Sequence, residues 1–523
     1  MSLESKARVC VPVCVRSAGE LGDAVARASA LADVIELRLD CLEDGEVEGA
    51  LARLKELVAK TPLHFIITNR PAGQGGRRAP DARERLDFWR RTSASLGEPD
   101  ARARVYADVE LDLLESTHAG ALREILEGFT LICSHHDFVR TPPDLGALYE
   151  RMARTGARGL KLAARAVDVT DCAPVLALVG RARRDRVEMI AVSMGEAGLL
   201  TRVLAPAFGA ALTYGSLERG RETAPGQLSA RELLELYRVH SLDGETAVTG
   251  LVGSPVSHSL SPHMHNAAFA ARDLNAVYVP FDVSDVSAFV RRMARPLTRE
   301  LRWNLRGFSV TAPHKSAIVK HLDWVEPPAA EMGAVNTVVI EGDGLRGYNT
   351  DARAALAPLE GLIDLKGARV AVVGAGGAAR ALLWGLRSQG SRATVFARDT
   401  ERARATAEAF GAHTEKLEGA GFAGFDLVVN ATPLGTRGAN EGETPATADR
   451  LRGARLAYDL VYNPARTRFI KEAEAAGCET LGGLPMLVAQ AAAQFELWTG
   501  TAAPAEVMLA AARARLEEAQ PDT

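Results

Sequence analysis

The stretch GLKLAARA, Gly159 to Ala166, sets one lysine, Lys161, inside an apolar run with the look of a buried strand. Seven further runs of that kind occupy the first 240 residues: VCVPVCV, VIELRL, LHFIIT, RVYADVEL, FTLICS, EMIAVSM and GAALTY. Each is separated from the next by a longer stretch rich in Ala, Leu and Arg with helical period. Eight β-then-α units predict an N-terminal (β/α)8 TIM barrel over residues 1–240. In such a barrel the chemistry gathers at the C-terminal ends of the strands. Those ends carry Glu36, Arg38, Asp40, Arg70, Glu110, His135, His136, Lys161 and, beyond SMGEAG, Arg202.

Outward from the barrel, the polar segment RVHSLDGETA breaks the rhythm and marks a boundary between 240 and 247. The strands TGLVG, AVYVPFDV and RGFSV then alternate with helices, and AVNTVVIEGDGLRGYN reads as a hairpin turning at Gly342 to Gly344. This gives a smaller α/β lobe, 247–350. A further unit, 351–517, is built around KGARVAVVGAGGAARALLWGL, a buried strand running through glycines into a helix. Its Gly374, Ala375, Gly376, Gly377 and Ala378 fit G-x-G-x-x-G/A in the strand-turn-helix setting of a Rossmann dinucleotide site. Arg398 and Arg402 follow the second strand where cations suit a ribose 2′-phosphate, which favours NADP over NAD although Asp399 intervenes. The overall class is α/β, a barrel fused to a two-lobe α/β dehydrogenase.

At 523 residues two or three cores are expected, and 47% hydrophobic with 24% charged residues is ordinary for a globular enzyme. A net charge of -4 offers no basic field for nucleic acid or anionic lipid. The six cysteines are scattered without a CxxC pair and read as buried thiols of a reducing compartment. There is no run of about 18 apolar residues, and MSLESKARVC lacks the build of a signal peptide. A cytoplasmic protein is expected, with a frayed tail after Pro521.

An amine in an apolar barrel has its charged form disfavoured, so a neutral nucleophile becomes available to attack a ketone. The iminium formed eases loss of a neighbouring proton to a modest base, and histidine is the natural one. Successive strand residues face opposite sides, so only one of His135 and His136 can point into the barrel mouth.

ELRLD, SHHDF, GLKLA, SMGEAG with Thr201 and Arg202, and TAPGQ resemble, in order, type I 3-dehydroquinate dehydratase. The resemblance implies Lys161 as the Schiff-base residue, His136 as the proton-transfer residue and Glu36 as the group orienting the histidine. It assigns Arg38, Arg70, Arg202, Thr223 and Gln227 to the substrate. Two positions depart from the family pattern. Gln74 stands in Gln74-Gly75-Gly76 where the family has Glu, and Thr223 stands where serine is common.

In GFSVTAPHK and GYNTD, Lys315 and Asp351 suit delivery of a proton to an alkoxide formed by hydride transfer. SPVSHSLSPHMHN, GFSVTAPHK, AVNT, GYNTD, GAGGAAR, NATPLG and PMLVAQAAAQFELWTG resemble shikimate dehydrogenase. That resemblance implies Lys315 and Asp351 as the catalytic pair. Ser259, Ser261, Thr311, Asn336, Tyr462 and Gln490 would bind shikimate, with Gln494 on the same helix face. Asn430, Thr432 and Gly483 would lie on the nicotinamide side. Ser309, Ala397, Asp399 and Thr436 depart from common family residues. His263 and His265, two apart at a helix start, point away from each other, so no metal is expected.

The two halves then make one sequence of reactions: 3-dehydroquinate loses water, and the resulting 3-dehydroshikimate is reduced by NADPH to shikimate. The expected partners are these small molecules alone, without nucleic acid or membrane. Two rival readings are a dehydrogenase half acting mainly on quinate and a half that is an inactive binding module.

Overall fold

The computed structural model describes residues 7–97 and 99–518. The first six residues, which belong to the stretch read for a signal peptide, and the tail expected to fray after Pro521 lie outside the described residues. Each of the eight runs is a strand: β1 (Val9–Val13), β2 (Val34–Arg38), β3 (His64–Thr68), β4 (Val105–Glu110), β5 (Thr130–Asp137), β6 (Gly159–Arg165), β7 (Glu188–Met194) and β8 (Thr213–Tyr214). They lie in chain order, with β8 back beside β1 in parallel, Val9 opposite Thr213. Between β7 and β8 the ring is drawn together by the Ala211 N–H donating to Met189 O at 2.7 Å.

Strands covered on both faces must be apolar nearly throughout, which is why these runs read as continuous rather than alternating. The interior is packed with Val34, Ile66, Tyr106, Ile132, Ile190 and Leu212. The polar exceptions obey the two-residue period: Glu36 with Arg38, Asp108 with Glu110, and Ser134 with His136. Register then sets Ser134 beside Lys161, and His136 beside Ala163.

The chain forms two compact units, Met1–Ser257 with Asn275–Leu305, and His258–Leu274 with Arg306–Thr523. In the first, the barrel is joined by the parallel pair β9 (Ala247–Gly253) and β10 (Ala276–Asp282). The sequence groups these two strands with the smaller lobe, and hydrogen bonds within the first unit also hold them. Asp168 accepts from Ser284 N–H and Oγ at 2.7 Å each, and Arg238 donates to Ala276 O.

The second unit contains β11 (Gly307–Val310), β12 (Trp324–Val325), β13 (Thr337–Glu341) and β14 (Gly344–Tyr348). β13 and β14 form the expected hairpin, with Glu341 opposite Gly344 and Gly342 at φ 57°. A six-stranded sheet follows, its pairs all parallel: β15 (Arg369–Val373), β16 (Arg392–Ala397), β17 (His413–Lys416), β18 (Leu427–Asn430), β19 (Leu456–Asp459) and β20 (Glu479–Leu481). Its order, β17-β16-β15-β18-β19-β20, reverses direction at β15, and the open-sheet rule puts ligands at the carboxyl ends there.

One expectation is corrected. Cys14 and Cys41 are joined in a disulfide, with Cα atoms 5.4 Å apart, while Cys10, Cys133, Cys172 and Cys478 are buried thiols. The pair is 27 residues apart in sequence. Its partners meet because β1 and β2 are neighbours and both cysteines lie just past the same ends.

Candidate active sites

The mouth of the barrel brings together Glu36, Arg38, Arg70, His136, Lys161, Arg202, Thr223 and Gln227 around one pocket. Lys161 is buried as expected, but its surroundings are not apolar. Its Nζ lies 3.0 Å from Glu36 Oε1 and 2.9 Å from Asp108 Oδ2, and 4.4 Å from the centre of the Tyr214 ring. All three contacts stabilise an ammonium. The amine therefore rests as an ion pair and must shed a proton before it attacks.

The expected contact of Glu36 with the histidine is also corrected: Glu36 reaches Lys161 and the Thr68 hydroxyl (2.8 Å). The group against His136 is Gln74, whose Oε1 accepts the His136 backbone N–H at 3.2 Å and faces Nδ1 at 3.3 Å. Because that backbone N–H can only donate, the amide atom facing it must be oxygen. Nδ1 then carries the ring proton, and the Nε2 lone pair is left to act as a base. Burial, with Arg70 and Lys161 adding to it, holds His136 well below its ordinary pKa. Phe138 stacks on its ring, and Gly75 makes room: at φ +88° a Cβ there would meet the Phe138 ring at 2.2 Å.

The arginines divide into two kinds. Arg38 is held bidentately by Asp40 at 2.9 and 2.8 Å. Arg70 is spent on Glu110 (2.8 Å), Ser134 (2.7 Å) and Asp108 (2.6 Å), and Arg85 backs Glu110 at 2.6 Å. Arg202 is different: 1% exposed, it donates to Pro225 O, its Nε has no partner, and burial alone lowers its pKa to about 10. Among the described residues it is the buried cation of this pocket without a carboxylate, so it awaits an anion. In the loop closing the pocket, Thr223 N–H and Oγ1 donate to Gln227 Oε1 at 2.8 and 3.2 Å.

The sequence singles out neither Asp108 nor Tyr214, and Glu110 only as a polar group at a strand end. The signal for Asp108 is its spacing of two from Glu110, which the strand period puts on the same face. Nothing in GAALTY distinguishes Tyr214 from a packing aromatic.

In the second unit Lys315 Nζ lies 2.6 Å from Asp351 Oδ2. Asn336 Nδ2 donates to the other Asp351 oxygen at 2.8 Å and to Thr350 Oγ1 at 2.9 Å, and lies 3.5 Å from Gln490 Oε1. Gln494 joins this network through Asn336 O (3.4 Å) and takes a hydrogen bond from Ser309 Oγ (3.0 Å). Five of the expected residues thus form one cluster. Ser259 and Ser261 start the helix Ser261–Ala271, with Ser261 N–H donating to Ser259 Oγ at 3.2 Å. Thr311 lies just past β11. Among the described residues neither these three side chains nor Tyr462, whose phenol burial pushes up, hydrogen-bonds Lys315 or Asp351.

At the end of β15, Gly374 has φ +107°, and a Cβ there would crowd Thr432 at 2.9 Å. Gly376 and Gly377 have nothing within 4 Å and open the helix Gly377–Ser388, so their backbone is bare at a helix N-terminus. That cradle fits a pyrophosphate. Arg398 and Arg402 are exposed and form no ion pair among the described residues. Asp399 is occupied as a helix cap, accepting from Arg402 N–H at 3.0 Å. Asn430 accepts from Thr432 N–H and Oγ1 and donates to Asp459, whose pKa burial raises to about 6. Gly483 precedes the helix Leu484–Thr499, where a Cβ would come within 2.4 Å of Leu460 O. Among the described residues no group of His, Cys, Asp and Glu could hold a metal ion.

Comparison with known proteins matches residues 9–243 to type I 3-dehydroquinase and 251–338 to the shikimate dehydrogenase substrate-binding domain. Residues 362–441 match a putative NAD(P)-binding family, and 483–513 the shikimate 5′-dehydrogenase C-terminal domain. A bifunctional 3-dehydroquinate dehydratase/shikimate dehydrogenase, chloroplastic, of Arabidopsis thaliana is 36% identical, over 95% of this chain and 83% of that one. A shikimate dehydrogenase (NADP(+)) of Moorella thermoacetica is 45% identical, over 50% of this chain and 91% of its own length. A crystal structure of shikimate dehydrogenase in complex with NADP+ is 38% identical, covers 52% of this chain and 97% of that one, and superposes with a TM-score of 0.49. With a relative similar along nearly the whole chain, and a candidate site in each of the two units, the protein belongs to the family of bifunctional 3-dehydroquinate dehydratase/shikimate dehydrogenases.

Proposed function

We propose that the protein dehydrates 3-dehydroquinate to 3-dehydroshikimate in the barrel and reduces that ketone to shikimate with NADPH in the second unit. The observation that carries the reading is the joint presence, in one pocket, of the Lys161 amine and the uncompensated Arg202 guanidinium. A substrate with both a ketone and a carboxylate satisfies both. Lys161, once deprotonated, adds to the ketone carbon, and water leaves as the iminium forms. His136 Nε2 takes a proton from the neighbouring carbon and returns it to the departing hydroxyl, so a second water is lost across a new C=C bond. Hydrolysis of the iminium frees the amine and the product.

In the second unit, bound NADPH would supply hydride to the ketone carbon. Lys315 donates a proton to the oxygen as charge builds there, and Asp351, fixed by Asn336, holds the ammonium in place. Gln490 and Gln494, with Ser259, Ser261, Thr311 and Tyr462, are assigned to the hydroxyls and carboxylate of shikimate. Gly374 to Ala378 would cradle the pyrophosphate, and Arg398 with Arg402 would take the 2′-phosphate, giving NADPH preference over NADH.

The working parts are assigned as 1–240, 247–350 and 351–517, in a cytoplasmic setting that fractionation of the native host would test. Among the described residues no helix is long and apolar enough to cross a membrane. A coupled assay tests the function: supplied with 3-dehydroquinate and NADPH, the protein should oxidise nucleotide and accumulate shikimate. Nucleotide oxidation with added 3-dehydroshikimate but not with 3-dehydroquinate would refute the first half of the reading.

A further inference from the structure

Two carboxylates touch Lys161, and they differ in what else holds them. Glu36 is shared with a neutral partner, the Thr68 hydroxyl at 2.8 Å. Asp108 is shared with a cation, since its Oδ2 also accepts from Arg70 Nη2 at 2.6 Å. Arg70 is in turn fixed by Glu110 and Ser134, and Glu110 by Arg85, so a row of alternating charges runs from the helix Ala82–Leu96 to the amine. Asp108 is 1% exposed. Burial pushes its carboxyl up, but Arg70 and Lys161 overcome that and hold it far below the usual carboxylate range. Among the described residues no guanidinium hydrogen-bonds Glu36, whose partners are the Lys161 amine and the Thr68 hydroxyl.

Charge conservation gives these two carboxylates different tasks. Overall, an ammonium and a ketone give an iminium and water, so the lysine nitrogen begins and ends this step with a positive charge. The number of N–H donors on that nitrogen nevertheless falls from three to one. One N–H can satisfy one carboxylate fully, and the other must let go or become protonated. Resting on the proposed dehydratase reading, we propose that Asp108 is a catalytic residue, the fixed counter-ion that keeps the nitrogen of Lys161 cationic in the iminium, while Glu36 is the mobile proton acceptor that frees the amine for attack. The positive iminium is the electron sink on which proton loss depends, so a clamped anion beside it lowers the barrier by electrostatic preorganisation.

The test uses the full chain and compares Asp108→Asn with Glu36→Gln. For Asp108→Asn, kcat of dehydration should fall about tenfold or more, with KM changed far less. The alkaline limb of its kcat profile should move down by about one pH unit or more, because the iminium loses its proton more readily. The adduct trapped by borohydride in the presence of 3-dehydroquinate should fall in parallel. Glu36→Gln should slow adduct formation yet leave that alkaline limb in place. Reduction of 3-dehydroshikimate by the same preparations reports that the second unit is intact.

An unmoved alkaline limb and full adduct yield in Asp108→Asn would overturn the proposal. Should that variant fail to fold its barrel, a downward shift of the alkaline limb in Glu36→Gln would overturn it equally. Absence of any borohydride adduct in the wild-type protein would instead refute the dehydratase reading on which the proposal stands.

Discussion

Lys161 and Lys315 are both lysines beside a carboxylate, and they differ in almost every other respect. The Lys161 side chain is 7% exposed, pairs with two carboxylates and lies over a ring. Lys315 is 27% exposed and, among the described residues, pairs with Asp351 alone, whose second oxygen is held by neutral Asn336. The buried barrel site surrounds its amine with anions that favour charge on the nitrogen. The more open lobe lets an ammonium exchange its proton with solvent between turnovers. What a lysine can do is set by how many anions hold it and whether water reaches it, rather than by its own chemistry.

The sharpest way to break this contrast is to remove each lysine in turn. Lys161→Ala should abolish dehydration by about four orders of magnitude or more and remove the borohydride adduct, with reduction of 3-dehydroshikimate unchanged. Lys315→Ala should lower kcat for reduction by about a hundredfold to a thousandfold and leave the adduct intact. An adduct on Lys315, or none lost with Lys161, would erase the distinction.

Arg202 gives a smaller effect with two signs. Arg202→Met removes a charged hydrogen-bond donor from the carboxylate of the substrate, and KM for 3-dehydroquinate should rise about tenfold to a hundredfold. The same change removes an uncompensated buried cation, so the ligand-free barrel should gain about 1 kcal/mol, a rise of about 2–4 °C in Tm. Loss of both affinity and stability would mean that Arg202 is structural. Calorimetry on the free and substrate-bound protein reads both.

The two units should also answer to pH in opposite senses. Buried Asp459 has its folded pKa raised to about 6. Above about pH 4 the unfolded chain gives up a proton that the folded chain keeps, so stability present below that pH is lost as pH rises to about 6. The amount is about 2–3 kcal/mol, and Asp459→Asn should flatten it. His136 has its folded pKa depressed. Below about pH 6.5 the unfolded chain binds a proton that the folded barrel refuses, so barrel stability declines as pH falls. Hydrogen exchange resolved by segment separates the two.

The same depression gives the smallest effect, a shift in activity alone. The acid limb of dehydratase kcat/KM should lie below the ordinary histidine range, and Gln74→Glu, by supplying an anion at Nδ1, should move it upward. A limb already in the ordinary range for the unaltered protein would contradict the neutral resting imidazole.

Much of the fold was legible because it is written in local periods. Eight apolar runs, a hairpin with Gly342 at its turn and a glycine-bearing strand-to-helix turn each depend on residues adjacent in the chain. The candidate catalytic residues were legible too, Lys161 as a cation in an apolar strand and Lys315 and Asp351 beside strand ends. Their partners were not. Asp108 and Lys161 are separated by 53 positions, and Gln74 and His136 by 62. No short-range pattern encodes such distances.

The sequence by itself determined which segments become strands, which of two adjacent histidines could share a face with Ser134, and where glycine must open a turn. These follow from backbone sterics and side-chain period. Only the tertiary structure decided that Lys161 rests between two carboxylates, that Glu36 hydrogen-bonds the lysine and Thr68, that Cys14 meets Cys41, and that Arg202 is, among the described residues, the buried cation of its pocket without a carboxylate. Charge balance in a closed interior is a sum over groups from many strands, and that sum exists only once the chain has closed.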